Sequence, residues 1–540
     1  MPSEEGPALA HRSVTSTKSA STDFLPTASS PRSVAAYTSP SALRAEEDYV
    51  VVELGSRFLR VGFGGDSQPK VKPSYGPAQN VRAGDFDFSR VADGWAEDHE
   101  LWPRDFRNLD LGLLRDKVER MLKDAFTGHL LIDSRPRRIS LVLDSMLPIP
   151  VVSAVLDTLF NKFQAPMVSL MPSPTMSVVA AGVRSGLVID MGWNETVVTS
   201  VYEYRQVKTT RSIRAGRFLL EALYKLLRRL LRGDKDDQHQ HRVLSFDECE
   251  DILCRLMWCR PSSSRSSQRP SAQLDTVEER DESAAESVHA SDVAEIQLYT
   301  TTPPSTLRVS LSKMADICDD SFFDLSAAPS TFDDDELPLH LLVYQHMLRL
   351  PLDVRGICMS RIMFVGGCCN ILGIKERVVD EVTAIVDKRG WVATFGKGVD
   401  QLQNKEKLRS RSMQRFSNSS TASLESSSED RDTASVVTEA SEDPVEAKLA
   451  RNRPPQQQLQ GKIRVLRSLG PWSGASLICH LKVPAIATVE REAWLQQGAN
   501  GASRPGDVDV KTKQRQSMGP IRGSGSHNAS WTLGLWGSLT

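Results

Sequence analysis

Two short apolar strands that fold back at a glycine constrain the architecture of this chain more than any other feature. The first copy runs from Tyr49–Leu54 through a turn at Gly55 into Phe58–Phe63, and the second runs from Gly186–Gly192 into Glu195–Tyr204. A tight turn of this kind exposes consecutive backbone N–H groups, and glycine lets a phosphate approach the backbone closely. Two copies predict two related lobes that face a common ligand.

Helices and strands alternate between and after these hairpins. Apolar residues recur on one helical face within 113–126 and again within 151–163, and the run Ile139–Asp144 between them predicts a buried strand. A further apolar run, Arg361–Val365, ends in the pair Gly366-Gly367. The alternation is typical of an α/β fold, and the glycine pair predicts a third loop that approaches the ligand.

Low-complexity segments interrupt this pattern. They are rich in Ser, Thr, Asp, Glu, Gln and Pro, and such stretches cannot bury enough apolar surface to offset the entropy lost on ordering. We therefore predict a disordered leader, two insertions and a flexible tail, at residues 1–47, about 261–300, 401–460 and 499–540. The ordered parts are then a first lobe, a second lobe and a return to the first lobe, at 48–185, 186–400 and 461–498.

Composition excludes several classes of partner. The chain has 66 basic and 68 acidic residues and a net charge of -2, which gives no reason to expect binding to nucleic acid or to a membrane surface. No apolar run is long enough for a membrane span, and the start of the chain lacks the apolar region of a secretory signal. The 8 cysteines have no zinc-like spacing. We predict a soluble intracellular protein with free thiols.

Four segments of the chain resemble the actin family. They are VVELGSRFLRVGFGGD (Val51–Asp66), DMGWNETVVTSVYE (Asp190–Glu203), VGGCCNILGIKER (Val365–Arg377) and PWSGASL (Pro471–Leu477). In that order they are similar to the two phosphate hairpins, the adenosine-side loop and the tryptophan–glycine segment of actin. The resemblance covers most of 48–260, 305–400 and 461–498. It implies a two-lobed α/β fold of the actin, Hsp70 and hexokinase type.

The resemblance also implies a ligand and the residues that hold it. Actins bind ATP or ADP with Mg²⁺ between the lobes. The positions that match the nucleotide contacts are Gly55, Ser56, Arg60, Asp190, Gly192, Gly366 and Gly367. Glu53 and Asp190 match the carboxylates that face the metal through water. Asp144, at the end of a strand, is either a further carboxylate near the metal or an ordinary turn residue.

Both hairpins carry residues that the family does not have. Glu53 replaces an aspartate and Arg60 replaces the phosphate-contacting lysine, so the charges are kept while the geometry changes. Arg57 replaces a glycine and crowds the turn, and Trp193 replaces a second metal-shell aspartate. Asn194 replaces a glycine in the second hairpin. Trp193 is equally compatible with a core tryptophan that contacts no ligand.

The groups for hydrolysis and for adenosine also differ from the family. Ser173 replaces the glutamine that orients the attacking water. On the helix that supplies adenosine contacts, Glu250, Leu253 and Cys254 replace an arginine, a lysine and a glutamate. Since phosphoryl transfer depends on positioning and charge stabilisation, we predict weak or absent ATP hydrolysis, with nucleotide bound without turnover or not bound at all.

These departures indicate a subunit of an assembly. The stretch between Asp66 and Asp105 is shorter than in actin and does not resemble the actin loop that inserts into the next subunit, which favours a capping role. Among divergent actin-related proteins, the chain is most similar to the fungal pointed-end member of dynactin. The resemblance implies a non-catalytic cytoplasmic, cytoskeletal subunit that caps dynactin's actin-like filament and supports dynein-driven transport along microtubules. Its partners would be the filament subunit and other pointed-end subunits.

Two alternatives stay open from the sequence. One is a nuclear actin-related subunit of a chromatin-remodelling complex, which the near-neutral charge and the lack of a basic cluster disfavour. The other is an active ATPase or sugar kinase on the same fold, which Ser173 and Trp193 disfavour.

Overall fold

The computed structural model describes residues 49–84, 95–132, 136–232, 244–262, 292–299, 305–324, 331–391, 461–483 and 487–503. Its contacts divide the chain into Met1–Glu47 and Asp48–Thr540, and every described residue lies in the second unit. The leader at 1–47 and the insertion at 401–460 that we predict from sequence lie outside the described residues.

The first lobe begins with a hairpin and continues with alternating helices and strands. Its elements are β1 (Val50–Leu54), β2 (Leu59–Phe63), α1 (Leu111–Asp124), β3 (Ile139–Leu143), α2 (Ile149–Asn161), β4 (Met167–Pro172) and α3 (Ser173–Ala180). The apolar faces predicted for α1 and α2 are buried, and the Asp110 carboxylate caps α1 by accepting hydrogen bonds from two N–H groups of its first turn.

The second lobe begins with a three-stranded meander. Its elements are β5 (Gly186–Met191), β6 (Thr196–Tyr202), β7 (Arg205–Ser212), α4 (Gly216–Arg232), α5 (Phe246–Leu256), β8 (Val293–Leu298), β9 (Ser305–Ser310), α6 (Leu311–Phe322), α7 (Leu339–Leu348), α8 (Leu352–Ser360), β10 (Ile362–Val365) and α9 (Ile374–Arg389). The chain then returns to the first lobe through α10 (Pro471–His480), β11 (Ala487–Glu490), α11 (Arg491–Gln497) and β12 (Ala502–Ser503).

The two lobes contain equivalent sheets. The first has six strands in the order β12-β11-β4-β3-β1-β2, and the second has four in the order β10-β5-β6-β7. In each sheet a hairpin lies beside a parallel strand, with β1–β2 next to β3 and β5–β6 next to β10. The carboxyl ends of parallel strands meet at one edge of each sheet. Residues of both hairpin turns and of the loop after β10 line one cleft.

Each lobe has its own apolar core, and one segment enters both. In this segment Ala96 is buried in the core of the second lobe, whereas Leu101 and Trp102 are buried in the core of the first. We call residues 95–102 the crossing segment. It ties the lobes together beside the cleft, and no sequence pattern predicts it.

Two boundaries predicted from sequence are wrong. The insertion at 261–300 ends too late, because Val293–Leu298 is a strand that pairs with Ser305–Ser310 and packs Ile296 and Leu298 into the second core. The Ser/Glu-rich residues before it hide this alternating strand. The flexible tail at 499–540 begins too early, because Ala502–Ser503 pairs with β11. Among the described residues, no helix is long and apolar enough to cross a membrane.

Candidate functional site

A cleft of about 1140 Å³ lies between the two hairpin turns. It is lined by every residue that the sequence assigns to nucleotide or metal: Glu53, Gly55, Ser56, Arg60, Asp190, Gly192, Gly366 and Gly367. The substituted positions Arg57, Ser173, Trp193, Asn194, Glu250, Leu253 and Cys254 line it too. The structure therefore brings all of these residues together, and the volume is large enough for a nucleotide.

The two turns have the same internal hydrogen bond. The Gly55 N–H donates to the Phe58 carbonyl at 3.0 Å, and the Gly192 N–H donates to the Glu195 carbonyl at 3.2 Å. Both glycine N–H groups are therefore used inside their turns. The backbone N–H groups of the next residues, Ser56 and Trp193, have no acceptor among the described residues, so they are the donors left for a ligand.

The two glycines after β10 have different surroundings, since Gly366 packs against neighbouring atoms and Gly367 faces open space. Gly366 has φ +88°, and a Cβ there would lie 2.4 Å from the Met191 carbonyl oxygen, so only glycine fits against the second hairpin. A Cβ at Gly367 would meet nothing within 4 Å. The wall of the cleft is thus open at Gly367, and a ligand could approach the backbone there.

Several carboxylates lie close together on the cleft wall. Glu53 faces Arg60 across the first hairpin and forms an ion pair with it. Burial, with Asp144 and Glu53 nearby, raises the pKa of Asp190 to about 7. Burial also raises the pKa of Asp144 and of Glu195. Asp144 is near Asp190 and also has a turn contact, because its Oδ1 accepts a hydrogen bond from the Met146 N–H. A bound cation would relieve the repulsion among these carboxylates.

These side chains are not arranged to coordinate a metal ion directly. Among the described residues, no group of three or more His, Cys, Asp or Glu side chains is close enough to hold a metal ion. The roles of Glu53 and Asp190 through water stay predictions. Still, the carboxylates and the open wall at Gly367 fit the phosphate and cation end of a nucleotide.

Sequence reasoning missed a cation in the cleft. The Lys72 ammonium lies 4.2 Å from the centre of the Phe58 ring and lines the cleft beside Arg60. Burial, followed by the nearby Arg60 charge, lowers the pKa of Lys72. Lys72 lies in a loop without periodicity, so no local signal points to it. With Arg60 paired to Glu53, Lys72 is a second positive group available to a phosphate.

Arg57 does not crowd its turn, because its side chain leaves the turn and crosses to the second lobe. Its Nε and Nη2 donate to the two carboxylate oxygens of Glu250 on α5, at 3.0 Å and 2.7 Å. Its Nη1 donates to the carbonyls of Tyr75 and His99. The guanidinium also lies 5.0 Å from the centre of the Phe246 ring. Two substitutions that lie 193 residues apart in the sequence thus form one bidentate pair.

The second hairpin is bound to the crossing segment in a similar way. The Trp193 Nε1 and the Arg217 Nη1 each donate to a carboxylate oxygen of Glu100, both at 2.9 Å. The Asn194 side-chain amide donates to the Trp102 carbonyl at 2.9 Å. The Trp193 ring packs against the second core, with its edge toward Phe246. This placement favours the interpretation of Trp193 as a core residue.

Helix α5 lines the cleft with an ion-paired carboxylate, an apolar side chain and a thiol. Glu250 is held by Arg57, and Leu253 and Cys254 place an apolar side chain and a thiol on the lining. Ser173 begins α3 and lines the cleft, and its carbonyl accepts a hydrogen bond from Ser177.

Comparison with known proteins agrees with this geometry. The Actin family model matches residues 44–238, which contain both hairpins and the strands between them. This part of the chain is therefore similar to actin. The chain is also similar to Actin-related protein 10 of Dictyostelium discoideum, at 24% identity over 220 residues. That match covers 38% of this chain and 45% of the relative, so the chain spans less than half the length of the curated relative it matches. Gly366, Glu250 and the return segment lie outside the family match.

The carboxyl group of Glu100 predicts a pH-dependent stability. Its side chain is 2% exposed, and burial raises its pKa to about 7 despite the nearby Arg217. The folded state therefore binds this proton more tightly than the unfolded chain does. The resulting stabilisation is complete below about pH 4.5 and is lost as the pH rises through about 7, by about 3 kcal/mol.

We expect Glu100→Gln to remove this loss. The stability of the variant relative to the unmodified chain, measured by urea denaturation, should rise by about 3 kcal/mol between pH 5 and pH 8. Glu221→Gln is the matched control, since Glu221 also pairs with Arg217 but is 41% exposed. The stability of this control relative to the unmodified chain should change by less than about 1 kcal/mol between pH 5 and pH 8. Equal pH profiles for both variants would contradict the prediction.

Proposed function

We propose that this chain is a non-catalytic, actin-related subunit of dynactin that caps the pointed end of its actin-like filament and supports dynein-driven transport along microtubules. Its partners are the actin-related filament subunit and other pointed-end subunits, and its location is the cytoplasmic cytoskeleton. The similarity to Actin-related protein 10 supports the choice of assembly. The capping role follows from the altered stretch between Asp66 and Asp105, since a filament stops growing when one face is blocked.

One observation carries the non-catalytic part of the proposal. The residues that differ from the family's ligand set are bound to other side chains of this protein, as Arg57 is to Glu250 and Trp193 is to Glu100. Groups that are held in this way do not reorganise around a phosphate. The Ser173 hydroxyl is also too short to orient a water molecule for attack.

ATP or ADP with Mg²⁺ is the ligand that the phosphate end of the cleft could hold without turnover. The cation would neutralise charge on the phosphates. Asp190 and Glu53 would face its water shell, and Ser56, Arg60 and the glycines Gly55, Gly192, Gly366 and Gly367 would border the phosphates.

Purification of the tagged chain from its own cells tests the proposal. We expect dynactin subunits in stoichiometric amounts and no ATP turnover above the background of the preparation. Recovery with chromatin-remodelling subunits, or recovery alone, would refute the dynactin assignment. ATP turnover that disappears in Gly192→Trp, which fills the phosphate end of the cleft, would refute the non-catalytic role.

A further inference from the structure

We infer that the two lobes are held closed by contacts within the protein itself, so that closure does not require nucleotide. The contacts form one set, which we call the clasp. Its members are Arg57, Trp95, His99 and Glu100 on the first hairpin and crossing segment, and Trp193, Arg217, Phe246 and Glu250 on the second lobe. The inference rests on the proposed non-catalytic role of the cleft and is independent of the assembly that the subunit joins.

The first part of the clasp is the ion pair between Arg57 and Glu250. Arg57 is 4% exposed, and each of its three terminal nitrogens has an acceptor. The acceptors come from both lobes, with the Tyr75 and His99 carbonyls on one side and the Glu250 carboxylate on the other. Separating the lobes would break this bidentate, charge-assisted pair and expose both groups to water.

The second part is a stack of aromatic rings centred on Phe246. The His99 ring lies parallel to the Phe246 ring, with 3.9 Å between centres and 15° between planes. The Trp95 ring lies 5.4 Å from the Phe246 ring and 4.6 Å from the Tyr224 ring. The Trp95 Nε1 donates to the Leu244 carbonyl at 3.2 Å. Opening the cleft would expose these rings to water, which adds an apolar cost to the electrostatic one.

The third part places a buried carboxylate between the lobes. Glu100 accepts hydrogen bonds from Trp193 and Arg217, and its own backbone carbonyl accepts one from Lys117 of α1. Arg217 also pairs with Glu97 of the crossing segment. The crossing segment is thus fixed to the first lobe by Lys117 and to the second lobe by Trp193 and Arg217.

Hydrogen exchange of the full-length chain, followed by mass spectrometry, tests whether closure depends on nucleotide. Nucleotide is removed with apyrase and EDTA, or ATP and Mg²⁺ are added in excess. We expect exchange in peptides from the crossing segment and from α5 to differ by less than about twofold between the two conditions. Exchange that accelerates tenfold or more in these peptides after nucleotide removal would overturn the inference.

A charge reversal tests the ion pair directly. In Glu250→Arg two cations face each other, and we expect exchange in the crossing segment to accelerate on the order of 100-fold. The control is Asp251→Arg on the same helix, because Asp251 is 57% exposed and pairs only with Arg255 among the described residues. The double variant Arg57→Glu with Glu250→Arg should recover part of the protection.

The outcomes separate this inference from the proposed function. Equal exchange in Glu250→Arg and Asp251→Arg, or no recovery in the double variant, would overturn the clasp. If Glu250→Arg does not fold, the inference is tested by the hydrogen exchange of the unmodified chain, compared with and without nucleotide. Failure to purify with dynactin would leave the exchange results unchanged, whereas ATP turnover would remove the non-catalytic role on which the clasp rests.

Discussion

Replacing Gly366 with alanine is expected to destabilise the protein by roughly 4 kcal/mol. Two costs combine, since the residue has φ +88° and its new Cβ would lie 2.4 Å from the Met191 carbonyl oxygen and 2.5 Å from Asp190 Oδ1. Met191 belongs to β5, which is paired with β10 on one side and with β6 on the other, so its carbonyl cannot move away easily. The free energy of unfolding from urea denaturation measures the effect.

Gly367→Ala is the matched control for this substitution. It makes the same chemical change one residue later, where a Cβ would meet nothing within 4 Å. We expect a loss of less than about 1 kcal/mol. Similar losses in the two variants would show that Gly366 is not required for packing against the second hairpin, and a larger loss of ATP binding in Gly367→Ala would assign that residue to the ligand.

Gly474→Ala should also destabilise the protein, by about 4 kcal/mol, whereas the same substitution stabilises an ordinary position inside a helix. Alanine normally stabilises a helix interior by about 1 kcal/mol relative to glycine. Here the new Cβ on α10 would lie 2.0 Å from the Met176 carbonyl oxygen and 3.2 Å from the Ala180 nitrogen, both on α3. The two helices would have to separate, and Trp472, which donates to the Val51 carbonyl at 3.1 Å, would move with α10.

Ser473→Ala on the same helix provides the comparison. Ser473 is near the surface, and its single hydroxyl proton is shared between the carbonyls of Ser67 and Leu469. We expect a loss of about 1 kcal/mol from these bonds. Stabilisation by Gly474→Ala, measured as a higher urea midpoint, would be incompatible with the close approach of α3 and α10.

The sequence predicts those parts of the site that depend on local pattern. Gly55, Gly192 and Gly366 each follow an apolar strand, and strand and turn together bring all three into the cleft. The pair between Arg57 and Glu250 could not be predicted, because 193 residues separate its members and no local pattern connects them. The same holds for Glu100, whose partner Trp193 lies on the other lobe.

The missed strand at Val293–Leu298 has a different cause. Buried and exposed residues alternate at the end of this strand. The strand, however, follows a long Ser- and Glu-rich stretch that dominates the local composition. Its partner Ser305–Ser310 is needed before an apolar face appears. The stability of a two-stranded hairpin depends on the core against which it packs. The pattern of residues in one strand gives no information about that core.

The sheet of the first lobe has a consequence for synthesis of the chain. Its strands β1, β3 and β4 are made first, but the neighbour of β4 at that edge is β11, which emerges only after the whole second lobe. Until then β4 presents unpaired backbone groups of the kind that recruit other strands. The lobe that is translated first is therefore completed last. A chain truncated before Ala487 would have an exposed, unpaired strand edge at β4 instead of a smaller stable domain.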